Sequence, residues 1–224
     1  SLLRGYHVDL GTVAAQVISI LFVILCILPL HELAHAWVAN KLGDPTAKLE
    51  GRLTFNPLAS VDPMGALALL LFGFGWAKPV PVDSRYFRKP KRDMAITALA
   101  GPVSNLLAAF VGAVLVAVME AFSPYNGFTN FVYNVLWYYV VVNISLAVFN
   151  LIPMPPLDGS RIVAAFLSDR AMYTYYRYQN LFVMVMFLLL LSGALSGPLA
   201  TAQTFFANII FSLARAPFQL FGLL

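Results

Sequence analysis

From residue 10 to residue 39 the chain carries no lysine, arginine or aspartate, and its one acidic residue is Glu32. A helix needs about 20 apolar residues to cross the hydrocarbon of a bilayer. No other feature limits the fold as much, because so long an apolar run belongs in a membrane. Four further runs share its character: 94–120, 129–152, 178–195 and 198–222. A sixth, "DPMGALALLLFGFGW" (62–76), is short and glycine-rich at its end, as expected of a re-entrant or partly inserted segment. The expected fold is an all-α polytopic membrane protein of about five to six transmembrane helices. Only 11% of the residues are charged, and the mean hydropathy is +0.80. A soluble domain would need far more polar surface. The 224 residues therefore read as one transmembrane domain, with a core at about 10–168 and peripheral helices at about 178–222.

The basic residues set an expected orientation. Lys41, Lys48 and Arg52 precede the short run; Lys78, Arg85, Arg88, Lys89, Lys91 and Arg92 follow it. Both flanks are then cytoplasmic. The connection 122–130 has no Lys or Arg and is expected outside, while Arg161, Arg170, Arg177 and Arg215 are expected inside. Thirteen of the fourteen Lys and Arg residues fall on the cytoplasmic side in this arrangement, with Arg4 the exception. The net charge of +4 is thus spread through loops between apolar runs, which speaks for lipid headgroups and against nucleic acid. The lone cysteine, Cys26, excludes an intrachain disulfide. The first apolar run lacks a following small-residue cleavage site, unlike a cleaved signal peptide. Alternation through Leu49, Arg52, Leu53, Thr54 and Phe55 predicts a strand or hairpin over 47–57, and the prolines of "AKPVPV" (77–82) predict extended chain.

The first apolar run contains His31-Glu32-Leu33-Ala34-His35, an H-E-x-x-H pattern. Residues four apart share a helix face, so both imidazoles can hold one zinc ion. Zinc lowers the pKa of a water it holds to about 7, and a neighbouring glutamate can take that water's proton. Three ionisable groups in an apolar helix carry a large desolvation cost, which marks function. A zinc site needs another protein ligand. His7 lies about 36 Å along the same helix from His31 and cannot supply it. Asp158, in "NLIPMPPLDGS" (150–160), is the remaining candidate. Its prolines break a helix where backbone groups must be satisfied inside protein. Asp158 would either face the metal or cap the helix that follows it.

The pair of motifs, His31-Glu32-x-x-His35 and Asn150-x-x-Pro153-x-Pro155-x-Leu157-Asp158-Gly159, resembles the site-2 protease family of intramembrane zinc metalloproteases. "AGPVSN" (100–105) is similar to that family's G-P-x-x-N element, and 51–65 and 73–94 resemble its compact bacterial and archaeal branch. Ser60 departs from the histidine expected in many relatives, and the chain leaves no room for a PDZ or CBS domain.

The resemblance implies His31, His35 and Asp158 as zinc ligands, one ion per chain, with Glu32 as general base. It implies that Asn105 and Asn150 hydrogen-bond the oxyanion or the substrate backbone, the alternative for each being contact between helices. The implied reaction is hydrolysis of a peptide bond within or near the transmembrane segment of a single-pass protein, as in regulated intramembrane proteolysis. The active site would face the cytoplasm of a multi-pass cell-membrane protein. Oligomeric state is open. The competing reading is a divalent-metal transporter or a metal-binding membrane protein. A transporter would spread ligands over several helices with a path to both faces, and a silent relative would usually lack Glu32.

Overall fold

The computed structural model describes residues 10–72, 78–124 and 126–223. His7 and residues 73–77 lie outside them. Helix α1 (Leu10–Phe22) runs through a π-helical turn (Val23–Ile27) into α2 (Leu28–Lys41). Pro29 explains that turn. Its ring cannot donate to the carbonyl four residues back and crowds it, and one wide turn relieves the clash. Four short helices follow: α3 (Thr46–Leu49), α4 (Pro57–Ser60), α5 (Pro63–Phe72) and a 3-10 turn (Ser84–Tyr86). The long α6 (Pro90–Phe122) and α7 (Gly127–Asn150) form the centre. Then come α8 (Asp158–Ala164), α9 (Asp169–Arg177), α10 (Gln179–Leu191) and α11 (Ser196–Leu220).

Packing depends on small residues along α6. Ala109 and Ala113 meet Val140, Ile144 and Val148 of α7 and Ile210 and Ala214 of α11. A Cβ on Gly112 would come within 2.7 Å of the Tyr139 ring, so glycine there sets how closely α6 and α7 approach. Close backbone approach is what drives helix association where lipid is as apolar as the side chains.

Three sequence expectations are corrected. Among the described residues 47–57 hold no strand. Pro45 leads into α3, Gly51 turns the chain at φ 67°, and the Asn56 side chain accepts from Leu58 N to start α4. Leu49, Leu53 and Phe55 would share one face of a strand, yet Leu53 packs beside Val80 while Leu49 and Phe55 are exposed. The span count is also lower. Val13–Lys41, Pro90–Phe122 and Gly127–Asn150 are long and apolar enough to cross, and α10 with α11 makes a fourth if that pair, bent by 86°, counts as one. α10 has 13 residues, about 20 Å, too short to span alone. Finally, Arg215 was expected on the opposite side from Glu120, yet its guanidinium bonds both Glu120 carboxylate oxygens, at 2.6 and 2.8 Å. Phe218 of α11 stacks on Phe122 of α6. The end of α11 therefore lies beside the 122–127 connection. The short run 62–76 is helical over its described part, in α5, with Asp62 accepting from Met64 N and Gly65 N.

A metal-ready site between three helices

α2 presents His31 and His35 toward α6, and α8 presents Asp158 to both. The His31 and His35 Nε2 atoms are 3.1 Å apart, and each is 3.2 Å from Asp158 Oδ2. Three donors on one zinc, with arms of about 2.0–2.2 Å in a tetrahedron, lie about 3.3 Å apart, so the triangle matches. The tautomers match as well. His35 Nδ1 is 2.7 Å from the Thr97 carbonyl, which can only accept, so Nδ1 carries the proton and Nε2 offers its lone pair. His31 Nδ1 donates to Asn105 Oδ1 at 2.7 Å, with the same result. Two buried lone pairs and a carboxylate oxygen without a hydrogen-bond donor converge on one point. A metal cation there would satisfy all three. Among the described residues this is the group of His, Cys, Asp or Glu side chains able to hold a metal ion.

The surrounding sequence makes the triangle possible. A Cβ on Gly101 would lie 2.3 Å from His35 Nε2 and 2.5 Å from His31 Nε2, so only glycine lets α6 pass behind both rings. The adjoining Pro102 removes one main-chain donor from the helix. Asp158 is the first residue of α8 and makes no cap bond. Gly159 packs its backbone under the end of α7, where a Cβ would meet the Leu151 and Ile152 carbonyls at 2.3 and 2.5 Å. The Tyr175 hydroxyl donates to Pro153 O at 2.8 Å and fastens the proline-broken stretch to α9.

The ligand triangle opens into a cavity of about 310 Å³ also lined by Glu32, Asn150, Val80 and Arg161. Glu32 is 8% exposed, and its Oε2 accepts from Val80 N at 3.1 Å. Asn150 donates from Nδ2 to Leu146 O at 3.0 Å at the cavity wall. Asn105 makes the contact between helices that was its alternative role: it is wholly buried against His31 and outside the cavity lining. Sequence reading missed the Thr97 carbonyl and the Val80 amide. Main-chain groups have no residue-type signature. The glycine and proline at 101–102, inside an apolar helix, were the one available sign of close approach.

The sequence pattern of peptidase family M50 matches residues 19–193, most of the chain. The chain belongs to peptidase family M50. That agrees with the site-2 protease resemblance of its motifs. The M50 chain is 46% identical over 136 residues to YwhC of Bacillus subtilis, a candidate zinc metalloprotease by name, covering 60% of this chain and 62% of YwhC. It is 30% identical over 188 residues to Rip2 of Mycobacterium tuberculosis, named in the same way, covering 79% of this chain and 68% of Rip2. It is 31% identical over 157 residues to the zinc metalloprotease MJ0392 of Methanocaldococcus jannaschii, covering 69% of this chain and 36% of that protein. The M50 chain thus spans about three fifths of YwhC. No solved structure matches it.

Proposed function

We propose that this chain is an intramembrane zinc metalloprotease that hydrolyses a peptide bond within or near the transmembrane segment of a single-pass membrane protein, as in regulated intramembrane proteolysis. One observation carries the reading: the His31, His35 and Asp158 donor atoms close a triangle of 3.1–3.2 Å on the wall of the cavity that holds Glu32. The family and the printed names of its relatives support it. His31, His35 and Asp158 would hold the zinc ion, with Asn105 and the Thr97 carbonyl fixing the two imidazoles from behind. Zinc, when bound, supplies Lewis acidity and makes water a nucleophile near neutral pH. Glu32 takes the proton of the attacking water as the oxygen adds to the scissile carbonyl carbon. It returns that proton to the amide nitrogen as the C–N bond breaks. Its Oε2 is occupied by the Val80 amide, so Oε1 carries the proton. Asn150, at the wall, is a side-chain donor available to the carbonyl oxygen.

A helical substrate must unwind before it is cut. The stretch 78–82 can hold it by backbone pairing. The Val80 amide is already committed to Glu32, and Pro81 has none, so Val82 offers the free N–H. Val82→Pro is expected to lower cleavage with zinc retained; unchanged cleavage excludes this edge. The basic loops near the site, from Lys41 to Arg92, favour a cytoplasmic opening. No observation favours metal transport: among the described residues the one metal-capable group is the triangle itself.

The test is cleavage of a model single-pass substrate by purified protein beside Glu32→Gln, with zinc counted in both. Expected is one zinc per chain in each and a rate about 10²–10⁴-fold lower in the variant. Full activity in Glu32→Gln would sink the proposal.

A further inference from the structure

Arg52 sits in the turn after α3, and among the described residues no carboxylate pairs with it. Its guanidinium donates to three main-chain carbonyls instead: Ala59 in α4, Lys78 at 2.5 Å and Pro79 at 3.2 Å. A planar fork with five N–H groups can clamp several carbonyls at once, which an ammonium cannot do in one geometry. Lys78 and Pro79 lead directly into Val80, whose N–H donates to Glu32. Pro79 and Pro81 carry no N–H, so the stretch 79–81 has this single donor. Val80 is 5% exposed and packs with Ala36 and Ala47, flanked by Leu53 and Val82. Farther on, Asp83 N donates to Asp44 Oδ2 at 2.8 Å, and Asp44 itself is wholly buried. The segment is thus a strap laid across α2, fixed by Arg52 at one end and Asp44 at the other.

We propose that Arg52 is a positioning residue: by holding the Lys78 and Pro79 carbonyls it aims the Val80 amide at Glu32 and fixes which carboxylate oxygen stays free to move the proton. The proposal rests on the reading of Glu32 as general base. Glu32 stands beside His31 on α2, but its side chain has three rotatable bonds and one hydrogen bond that orients it. A misplacement of about 1 Å in a catalytic group can cost about a hundredfold in rate.

The experiment uses the full chain with Arg52→Gln, Arg52→Lys, Val80→Pro and the double variant Arg52→Gln/Val80→Pro. Expected for Arg52→Gln is a kcat about ten- to a hundredfold lower, with zinc per chain unchanged. Arg52→Lys, which keeps the charge but loses the fork, should recover only part of the rate. Full recovery would mean that charge alone matters and would overturn the proposal. Val80→Pro removes the amide, so in that background Arg52→Gln should cost nothing further. Independent, multiplying losses would overturn the proposal, as would loss of zinc from Arg52→Gln. A second readout needs no cleavage. A peptide covering 78–82 reads just two backbone amides, those of Val80 and Val82, because Lys78 becomes its amino terminus and the prolines carry no N–H. Hydrogen exchange at Val80 should accelerate in Arg52→Gln and in Glu32→Ala alike. Unchanged exchange in Arg52→Gln overturns the positioning role even if the wild-type chain cleaves nothing, which separates its failure from that of the protease reading.

Discussion

α6 carries two polar constellations, Asn105 of one and Glu120 of the other standing about 23 Å apart along its axis, and they are built on opposite plans. Near its end, Glu120 accepts two bonds from Arg215 and one from the Tyr133 hydroxyl, while Arg215 stacks on Phe211. That cluster is closed, each charge being met by a partner from α7 or α11. Near its start, Thr97, Gly101 and Asn105 back onto His31 and His35, and that cluster is open. Both imidazoles turn their lone pairs, and Asp158 an unpartnered oxygen, to one point. Polar groups on an apolar helix do not by themselves separate function from scaffold. An unmet valence at the focus does, because leaving it unmet costs stability unless something binds there.

Breaking the open cluster should have the larger effects. Gly101→Ala puts a methyl within 2.5 Å of both imidazole Nε2 atoms. The rings must move, and zinc per chain should fall toward zero with cleavage abolished. Metal analysis of the purified variant checks this, and full zinc occupancy would show that α6 yields instead. Asn105→Ala acts less severely. It removes the acceptor that sets the His31 tautomer and should weaken zinc about ten- to a hundredfold, read by competition with a chelator. An unchanged zinc affinity would mean that His31 is oriented by packing alone.

The site was legible in the sequence to a greater degree than the fold around it. His31, Glu32, His35 and Asp158 stand out because ionisable side chains in apolar or proline-broken surroundings demand a reason, and the structure brings the donor atoms of His31, His35 and Asp158 together. Three main helices were found because length and hydropathy suffice to mark a span. The expected hairpin at 47–57 failed because Gly51 and the Asn56 cap turn the chain into short helices, which send Leu53 inward but Leu49 and Phe55 outward, although all three would share one face of a strand. The runs 178–195 and 198–222 failed differently. Hydropathy measures how apolar a segment is, and it does not register the 86° bend between α10 and α11 across the turn 192–195. Arg215 was misplaced for a related reason. Counting positive charges treats each as solvated, and this one is neutralised by Glu120.

The closed cluster gives the smallest expected effect and the sharpest control. Glu120→Gln removes a charge from a pair whose Arg215 side chain is about one-third exposed, so screening holds the loss to about 1 kcal/mol. The variant should melt a few degrees lower in the same detergent while retaining zinc and its rate of cleavage. Arg215→Met should behave alike, and the double variant Glu120→Gln/Arg215→Met should lose less than the two single losses added, since the partners share one interaction. A fall in zinc content in either single variant would break the comparison. It would mean that α6 transmits strain from its end to Gly101, and that the scaffold cluster belongs to the site after all.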